Sequence, residues 1–430
     1  MSTFTIYSNG CIEAQSKYQL LYNKLIKAGY DYENDYHNTD YFVFISCAGV
    51  QTSLERTMRH FRYLYDGKSE NTTMIVVGCF SKIKDLYSTM KEMFPDVYFV
   101  DDLDWVNETL NIIEKQNQPQ TIIKRLESHT MPVYGENTEV YLFVSSGCLN
   151  HCSFCKTNYM NEQLFSILYQ NIIPYVENLV KNGTRLLQLH GTNLTQYGID
   201  LYGKPRLDFL IRQLSKIDNL YGIGLHELAP KDFYPELIKE IQTNPKINAV
   251  DIQIETASDR LLKLMDRKCT KEELYELVKL LRKNRDIPIS TILMSAFPTE
   301  KLEDIEETLN FIQDTNIYVS NVCKYVNSPH IPSNQFSQLS KMEALQHDRY
   351  TVSKIKEHNY AYLKQYENVL KEEMVIAHKD NAVLLANCLP TVSYSYKSKY
   401  YHLENGSLVV PEKKKLIQKS KVLKTWGYRI

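Results

Sequence analysis

Val140-Tyr141-Leu142-Phe143-Val144-Ser145-Ser146-Gly147-Cys148-Leu149-Asn150-His151-Cys152-Ser153-Phe154-Cys155 joins an apolar, β-rich run, Val140 to Ser145, to a C-x3-C-x2-C triplet. The run reads as a strand, so the three cysteines form a compact set of soft ligands in the loop just beyond it. Three thiolates are one short of a closed tetrahedral site. An Fe4S4 cube held by three protein thiolates keeps one iron free for a small molecule and an electron. Zinc is the rival metal, and a structural zinc closes its site with a fourth Cys or His. Only His151 is near in sequence, wedged inside the loop. An open zinc site in a non-catalytic binding protein stays as the alternative from another class.

Downstream, the strand opens a series. Leu186 to His190, Gly222 to His226, Ala249 to Ile254, Ile287 to Leu293 and Ile317 to Lys324 read as further strands. They are spaced by helical patterns near Gln163 to Lys181, Leu207 to Lys216, Asp232 to Gln242, Lys271 to Arg285 and Leu302 to Asp314. Alternation of this kind predicts a central partial (β/α)6 barrel over residues 137–335, with function at the carboxyl ends of its strands.

Upstream, three β-rich runs, Phe4 to Tyr7, Tyr41 to Ile45 and Met74 to Val77, alternate with helical patterns and predict an N-terminal parallel α/β domain over residues 1–116. Each run is followed within a few residues by a cysteine: Cys11, Cys47 and Cys79. In an open parallel sheet the carboxyl ends of the strands share one edge, so these cysteines are expected to converge. Their alternative role is as small buried hydrophobes. Residues 117–136 read as a linker, residues 336–372 as a charged helical connection, and residues 373–430, with short alternating runs such as Ser407 to Val410, as a small C-terminal β-rich module.

The chain has 430 residues, 43% of them hydrophobic and 23% charged, enough for several domains with sizeable cores. Fifty Lys and Arg against 51 Asp and Glu give a net charge of -1, so the whole molecule exerts no strong pull on a polyanion or an anionic membrane. No apolar run approaches the roughly 20 residues that span a bilayer, and Met1 to Thr5 do not open a signal peptide. A cytoplasmic location is expected. Nine cysteines, an odd number in a long chain, suit a reducing compartment where thiols hold metal.

Several of these stretches together resemble the radical S-adenosylmethionine (SAM) methylthiotransferases. The triplet, with Phe154 just before its third cysteine, is similar to the superfamily's cluster loop. Asn9-Gly10-Cys11, Ile45-Ser46-Cys47 and Val77-Gly78-Cys79 match the family's N-terminal domain. Gln196-Tyr197-Gly198-Ile199-Asp200, Gln253 with Ala257 to Met265, and Ser290-Thr291-Ile292 match its barrel. The Tyr-Gly-hydrophobic-Asp and Leu-Lys-Leu-Met runs are closest to the branch that modifies a ribosomal-protein aspartate. Departures are Met160-Asn161-Glu162-Gln163-Leu164 in place of an arginine-rich segment, and Ser295 to Glu300 in place of a glycine-rich turn. Lys324 to Pro332 replaces a Tyr-Ser-x-Arg-x-Gly-Thr run, and the C-terminal module lacks the glycines and valines of an RNA-binding one.

The resemblance implies SAM and two [4Fe-4S] clusters, one on Cys148, Cys152 and Cys155 and an auxiliary one on Cys11, Cys47 and Cys79. Expected SAM contacts are Phe154, the strand end His190-Gly191-Thr192-Asn193, then Gln253, Thr256, Ser258 and Arg267; Thr256 and Ser258 also suit helix capping. The implied reaction turns an unactivated C–H into C–SCH3. A peptide or protein side chain is the favoured substrate, including a ribosomally made precursor peptide; a tRNA adenosine beside the anticodon is the runner-up. A flavodoxin or ferredoxin is the expected electron donor. Cys269 reads as a helix-start residue, Cys323 and Cys388 as packing cysteines, and Lys413-Lys414-Lys415 with Lys419, Lys421 and Lys424 as a solvated basic run or a weak contact for RNA or an acidic leader. His226-Glu227, at a strand end, reads as a rim salt bridge or turn contact, or else as facing the site, where it would touch SAM or substrate. The 32 tyrosines are scattered and do not form a stacking platform.

Overall fold

The computed structural model describes residues 2–8, 12–46, 51–78, 84–100, 105–116, 133–134, 139–156, 163–328 and 331–365, and five short strands between 375 and 409. The chain forms two compact units that divide near Gly135.

In the first, strands β1 (Thr3–Ser8), β2 (Asp31–Tyr32), β3 (Tyr41–Ser46), β4 (Thr73–Gly78) and β5 (Val97–Phe99) alternate with helices α1 (Ile12–Lys27), α2 (Gln51–Gly67), α3 (Lys84–Met93) and α4 (Trp105–Gln116). All neighbours in the order β2-β1-β3-β4-β5 are parallel. Successive strand residues point to opposite faces, and here both faces are apolar. Val43, Ile45, Ile75 and Val77 pack with Leu21 and Leu25 of α1 and Leu110 and Ile113 of α4. Phe42, Phe44, Met74 and Val76 pack with Phe61 and Leu64 of α2 and Met90 of α3. Register pairs Ser8 with Ile45 and Ser46 with Gly78, so the carboxyl ends of β1, β3 and β4 lie together. Cys11, Cys47 and Cys79 lie outside the described residues, as do Cys388 and the basic run of the tail.

β6 (Val133–Tyr134) pairs antiparallel with β7 (Glu139–Phe143), so a strand stands where the sequence reads as linker. Next come β8 (Ser145–Ser146), β9 (Phe165–Ser166), α5 (Tyr169–Lys181), β10 (Leu186–His190), α6 (Ile199–Tyr202), α7 (Leu207–Leu214), β11 (Gly222–Leu228), α8 (Pro235–Thr243) and β12 (Ile247–Ile252). α9 (Asp259–Leu264), α10 (Lys271–Leu281), β13 (Ile289–Ser295), α11 (Leu302–Thr315), β14 (Tyr318–Lys324) and α12 (Lys341–Gln365) complete the series. The strand order is β14-β13-β12-β11-β10-β7-β6, and β10 to β14 are parallel neighbours. The helix expected from Gln163 starts at Tyr169, because β9 first pairs back with β8 and closes the cysteine loop.

One face of this sheet is polar. His226 Nε2 is 2.7 Å from Gln188 Oε1 on the neighbouring strand, and Ser290 Oγ donates to Asp251 Oδ1 at 2.8 Å. A Cβ at Gly224 would overlap Gln188 Oε1, so glycine is what lets that amide lie across β11. α12 lies along the edge strand β14. Asn359 takes both backbone groups of Val319, accepting from its N–H at 3.1 Å and donating to its carbonyl at 2.7 Å, which satisfies an otherwise open ladder. The expected helical connection is thus packed on the barrel. At the far end, β15 (Val375–Ala377), β16 (Ala382–Leu385) and β17 (Ser393–Ser395) form an antiparallel sheet, and β18 (His402–Glu404) pairs antiparallel with β19 (Ser407–Val409). Among the described residues no helix is long and apolar enough to cross a membrane.

Candidate active site

Gly147 begins the cysteine loop with φ +78°, and a Cβ there would run into the backbone carbonyl of Gln163. Only glycine meets both conditions. Gly147→Ala is therefore expected to cost about 2 kcal/mol or more and to lower the melting temperature by about 4–8 °C; calorimetry checks this, and an unchanged melting curve would contradict it.

The loop is held on one side by polar groups around the end of β10. Thr192 Oγ1 accepts from Gly147 N–H at 3.0 Å, and Gln196 Oε1 accepts from Leu149 N–H at 2.8 Å. Asp232 Oδ2 is the hub, accepting from Asn150 Nδ2 at 2.9 Å, Asn193 Nδ2 at 2.7 Å and Gln196 Nε2 at 2.8 Å. On the other side the loop is fixed to the end of α9, where Ser153 Oγ donates to the Leu264 carbonyl at 2.8 Å and Ser153 N–H to the Met265 carbonyl at 3.0 Å. Phe154 packs with Leu261, Met265 and Phe297.

Donors face the sulfurs. Asn150 N–H reaches Cys148 Sγ at 3.4 Å and Asn193 Nδ2 at 3.7 Å, while Arg267 Nη1 is 3.3 Å from Cys152 Sγ. Burial raises the Cys148 thiol, and the two asparagine hydrogen bonds pull the other way. Among the described residues no three His, Cys, Asp or Glu side chains close around a single ion. A cube asks for something else, since its thiolates attach to three different irons. Soft thiols facing N–H donors, beside a buried cation, are the surroundings an anionic cluster requires. Two further buried polar atoms, Ser145 Oγ and Arg267 Nε, have no hydrogen-bond partner among the described residues.

The expected SAM contacts divide. Gly191, Thr192, Asn193, Phe154 and Arg267 lie in or against the cysteine loop or, for Gly191, against Ser145 at its start. His190 is buried and stacked on His226, with ring centroids 4.3 Å apart, and burial holds both rings below their ordinary pKa. Gln253 donates to Asp251 Oδ2 at 2.6 Å, and its carbonyl accepts from Arg267 Nη2. Thr256 and Ser258, after β12, are held by side chains of a later helix. Their hydroxyls are 3.0 Å from Thr308 Oγ1 and 2.6 Å from Asp304 Oδ1, so both are bonded to α11. Ser258 is the N-cap residue of α9 but makes no side-chain capping bond.

In the sequence Asp232 reads as the first residue of a helix, while its amide partners Asn150 and Gln196 stand in stretches that match the family and Asn193 among the expected SAM contacts, with nothing to join them to Asp232. Asp251 and Glu255 are likewise unmarked there. Glu227, with φ of +61°, lies within the register shift of β11 beside Asp251, and Glu255, with φ of +70°, follows the end of β12. Among the described residues Glu227 forms no ion pair, and its backbone N–H donates to Asp251 Oδ2 at 3.4 Å. Burial, then Asp251 and Glu255, raise its carboxyl from 4.5 to about 8; burial raises Glu255 also, against the pull of Arg267. Because the folded value is the higher one, this contribution is whole below the unfolded pKa and is lost as pH rises to about 8. Glu227→Gln is expected to remove that loss, gaining on the order of 2 kcal/mol over the parent chain between about pH 5 and pH 8. Urea midpoints across that range check it, and a constant difference between the two chains would contradict it. Burial raises Cys269, just before α10, to about 11, and Cys323, on β14, to about 12, in keeping with neither being a thiolate.

Comparison with known proteins bears on this arrangement. The Radical SAM superfamily matches residues 142–312, and a family described as uncharacterized, UPF0004, matches residues 3–100. The ribosomal protein uS12 methylthiotransferase RimO of Clostridium botulinum (strain Eklund 17B) is 25% identical over 338 residues, 76% of each chain. RimO of Clostridium acetobutylicum is 29% identical over 336 residues, 75% of this chain and 74% of its own. Among solved structures, the radical S-adenosylmethionine methyltransferase TsrM from Kitasatospora setae superposes with a TM-score of 0.55 at 12% identity, covering 78% of this chain and 77% of that one. The S-adenosylmethionine radical enzyme OxsB gives 0.51 at 12% identity, covering 87% and 62%. These two likenesses are of fold. A UPF0004 domain followed by a radical SAM domain, with relatives named RimO over about three quarters of the chain, fits a radical SAM methylthiotransferase family, which implies SAM and two [4Fe-4S] clusters as cofactors.

Proposed function

We propose that the chain replaces a C–H on a peptide or protein side chain by C–SCH3, with the SAM-binding cluster on Cys148, Cys152 and Cys155 and the second cluster on Cys11, Cys47 and Cys79. When bound, the clusters and SAM supply the one-electron chemistry and the sulfur and methyl of the new group. The protein's own residues hold these parts in place and keep water out. Asp232, through its three amides, fixes the loop that carries Cys148. Ser145 Oγ and Arg267 Nε are spare buried donors for the polar end of SAM, Ser145 against Gly191 and Arg267 against Cys152. A flavodoxin or ferredoxin in the cytoplasm would supply the electrons.

The observation that carries the choice of substrate is the acidic end of β11 and β12. Three carboxyl side chains, Glu227, Asp251 and Glu255, come together there, and burial with Asp251 raises both glutamates; these strand ends offer a phosphate backbone carboxyls in place of the clustered Lys and Arg that it needs. The RimO relatives, named for a ribosomal protein, point the same way. A ribosomally made precursor peptide fits this reading as well as a ribosomal protein does. The test is an untargeted mass comparison of peptides and tRNA nucleosides from a cell extract incubated with the reconstituted chain, SAM and a reductant. A peptide gaining CH3S in place of H is expected; the same gain on a tRNA adenosine instead would overturn the choice.

A further inference from the structure

Arg267 is 8% exposed, and among the described residues its guanidinium forms no ion pair with a carboxylate. A buried cation needs an anion or it destabilises the fold by several kcal/mol. Its partners here are Cys152 Sγ, 3.3 Å from Nη1, and the Gln253 carbonyl at Nη2. The position is rigid as well as buried, since Arg267 N–H donates to the Leu262 carbonyl at 3.0 Å, closing α9. The three sulfurs are therefore unequal: Cys148 faces two uncharged amide donors, and Cys152 faces a full positive charge.

We propose that Arg267 sets the reduction potential of the cluster on the triplet, acting as a positioning residue through Cys152; the inference rests on the cluster assignment above. A fixed cation and an N–H donor on a ligating sulfur favour the state carrying one more electron, and so raise the potential. This role is additional to any contact between Nε and SAM, because it is exerted from the other nitrogens and without SAM present.

The test uses the full-length chain carrying Cys11→Ala, Cys47→Ala and Cys79→Ala, so that one cluster is observed, and follows its reduction by electron paramagnetic resonance at set potentials without SAM. Arg267→Gln is expected to lower the ratio of reduced to oxidised cluster at least tenfold at a given potential, a shift of about 59 mV to the negative side. An unchanged midpoint in cluster-loaded Arg267→Gln overturns the proposal. If that variant holds no cluster, Arg267→Lys decides: iron at the parent level shows that the charge is what the site requires, and no iron in either variant overturns the electrostatic role. A parent chain without any cluster would instead refute the assignment of the triplet.

Discussion

Alanine at Cys148, Cys152 and Cys155 together is expected to halve the iron of the reconstituted wild-type chain, from about eight atoms to about four, and to abolish formation of 5′-deoxyadenosine from SAM. The chain carries two independent sets of three thiols. The triplet sits in one loop, between Asp232 and its amides on one side and Arg267 on the other. The other set follows three parallel strands whose carboxyl ends are in register. Alanine at Cys11, Cys47 and Cys79 is expected to remove the other half of the iron and leave 5′-deoxyadenosine formation intact, because the triplet, the proposed site of SAM cleavage, is untouched. Iron and sulfide analysis of the three anaerobic preparations, with chromatography of the nucleoside products, decides this. Equal iron in the wild-type chain and the triplet variant would sink the assignment.

Asp232→Ala should be the most damaging single change outside the cysteines. One carboxylate oxygen accepts from three amides that come from the cysteine loop, the end of β10 and the turn after it. Hydrogen bonds to a charged acceptor contribute roughly 1.5–3 kcal/mol each, and three that share an oxygen do not add in full. A loss of about 3 kcal/mol is expected, about 6–12 °C in melting temperature, together with loss of iron from the triplet. Asp232→Asn keeps one acceptor oxygen and should fall between the two. A variant that melts and loads iron like the parent would show that the hub does not hold the loop.

The strands were legible where an apolar run was long enough to show its character. β1, β3 and β4, and β10 to β14, were all placed to within a few residues, because both faces of the N-terminal sheet are apolar and one face of the barrel sheet is. β2 and β5 were missed, as two or three residues carry no period. The β8–β9 ladder was hidden for the same reason, though it is what closes the cysteine loop. The triplet itself was plain, since its ligands are local in sequence. The Asp232 hub was not, because its amide partners are 36 to 82 residues away and only the fold brings them together. The bonds of Thr256 and Ser258 to α11 were equally hidden, since their partners Thr308 and Asp304 lie 52 and 46 residues away.

The most direct measurement is a product analysis of SAM after incubation with the anaerobically reconstituted wild-type chain, sulfide and a strong reductant. Both 5′-deoxyadenosine and S-adenosylhomocysteine are expected, the first from reductive cleavage at the triplet and the second from transfer of a methyl group to sulfur. Formation of 5′-deoxyadenosine with no S-adenosylhomocysteine would leave a radical enzyme that transfers no methyl, and would contradict methylthio transfer by this chain.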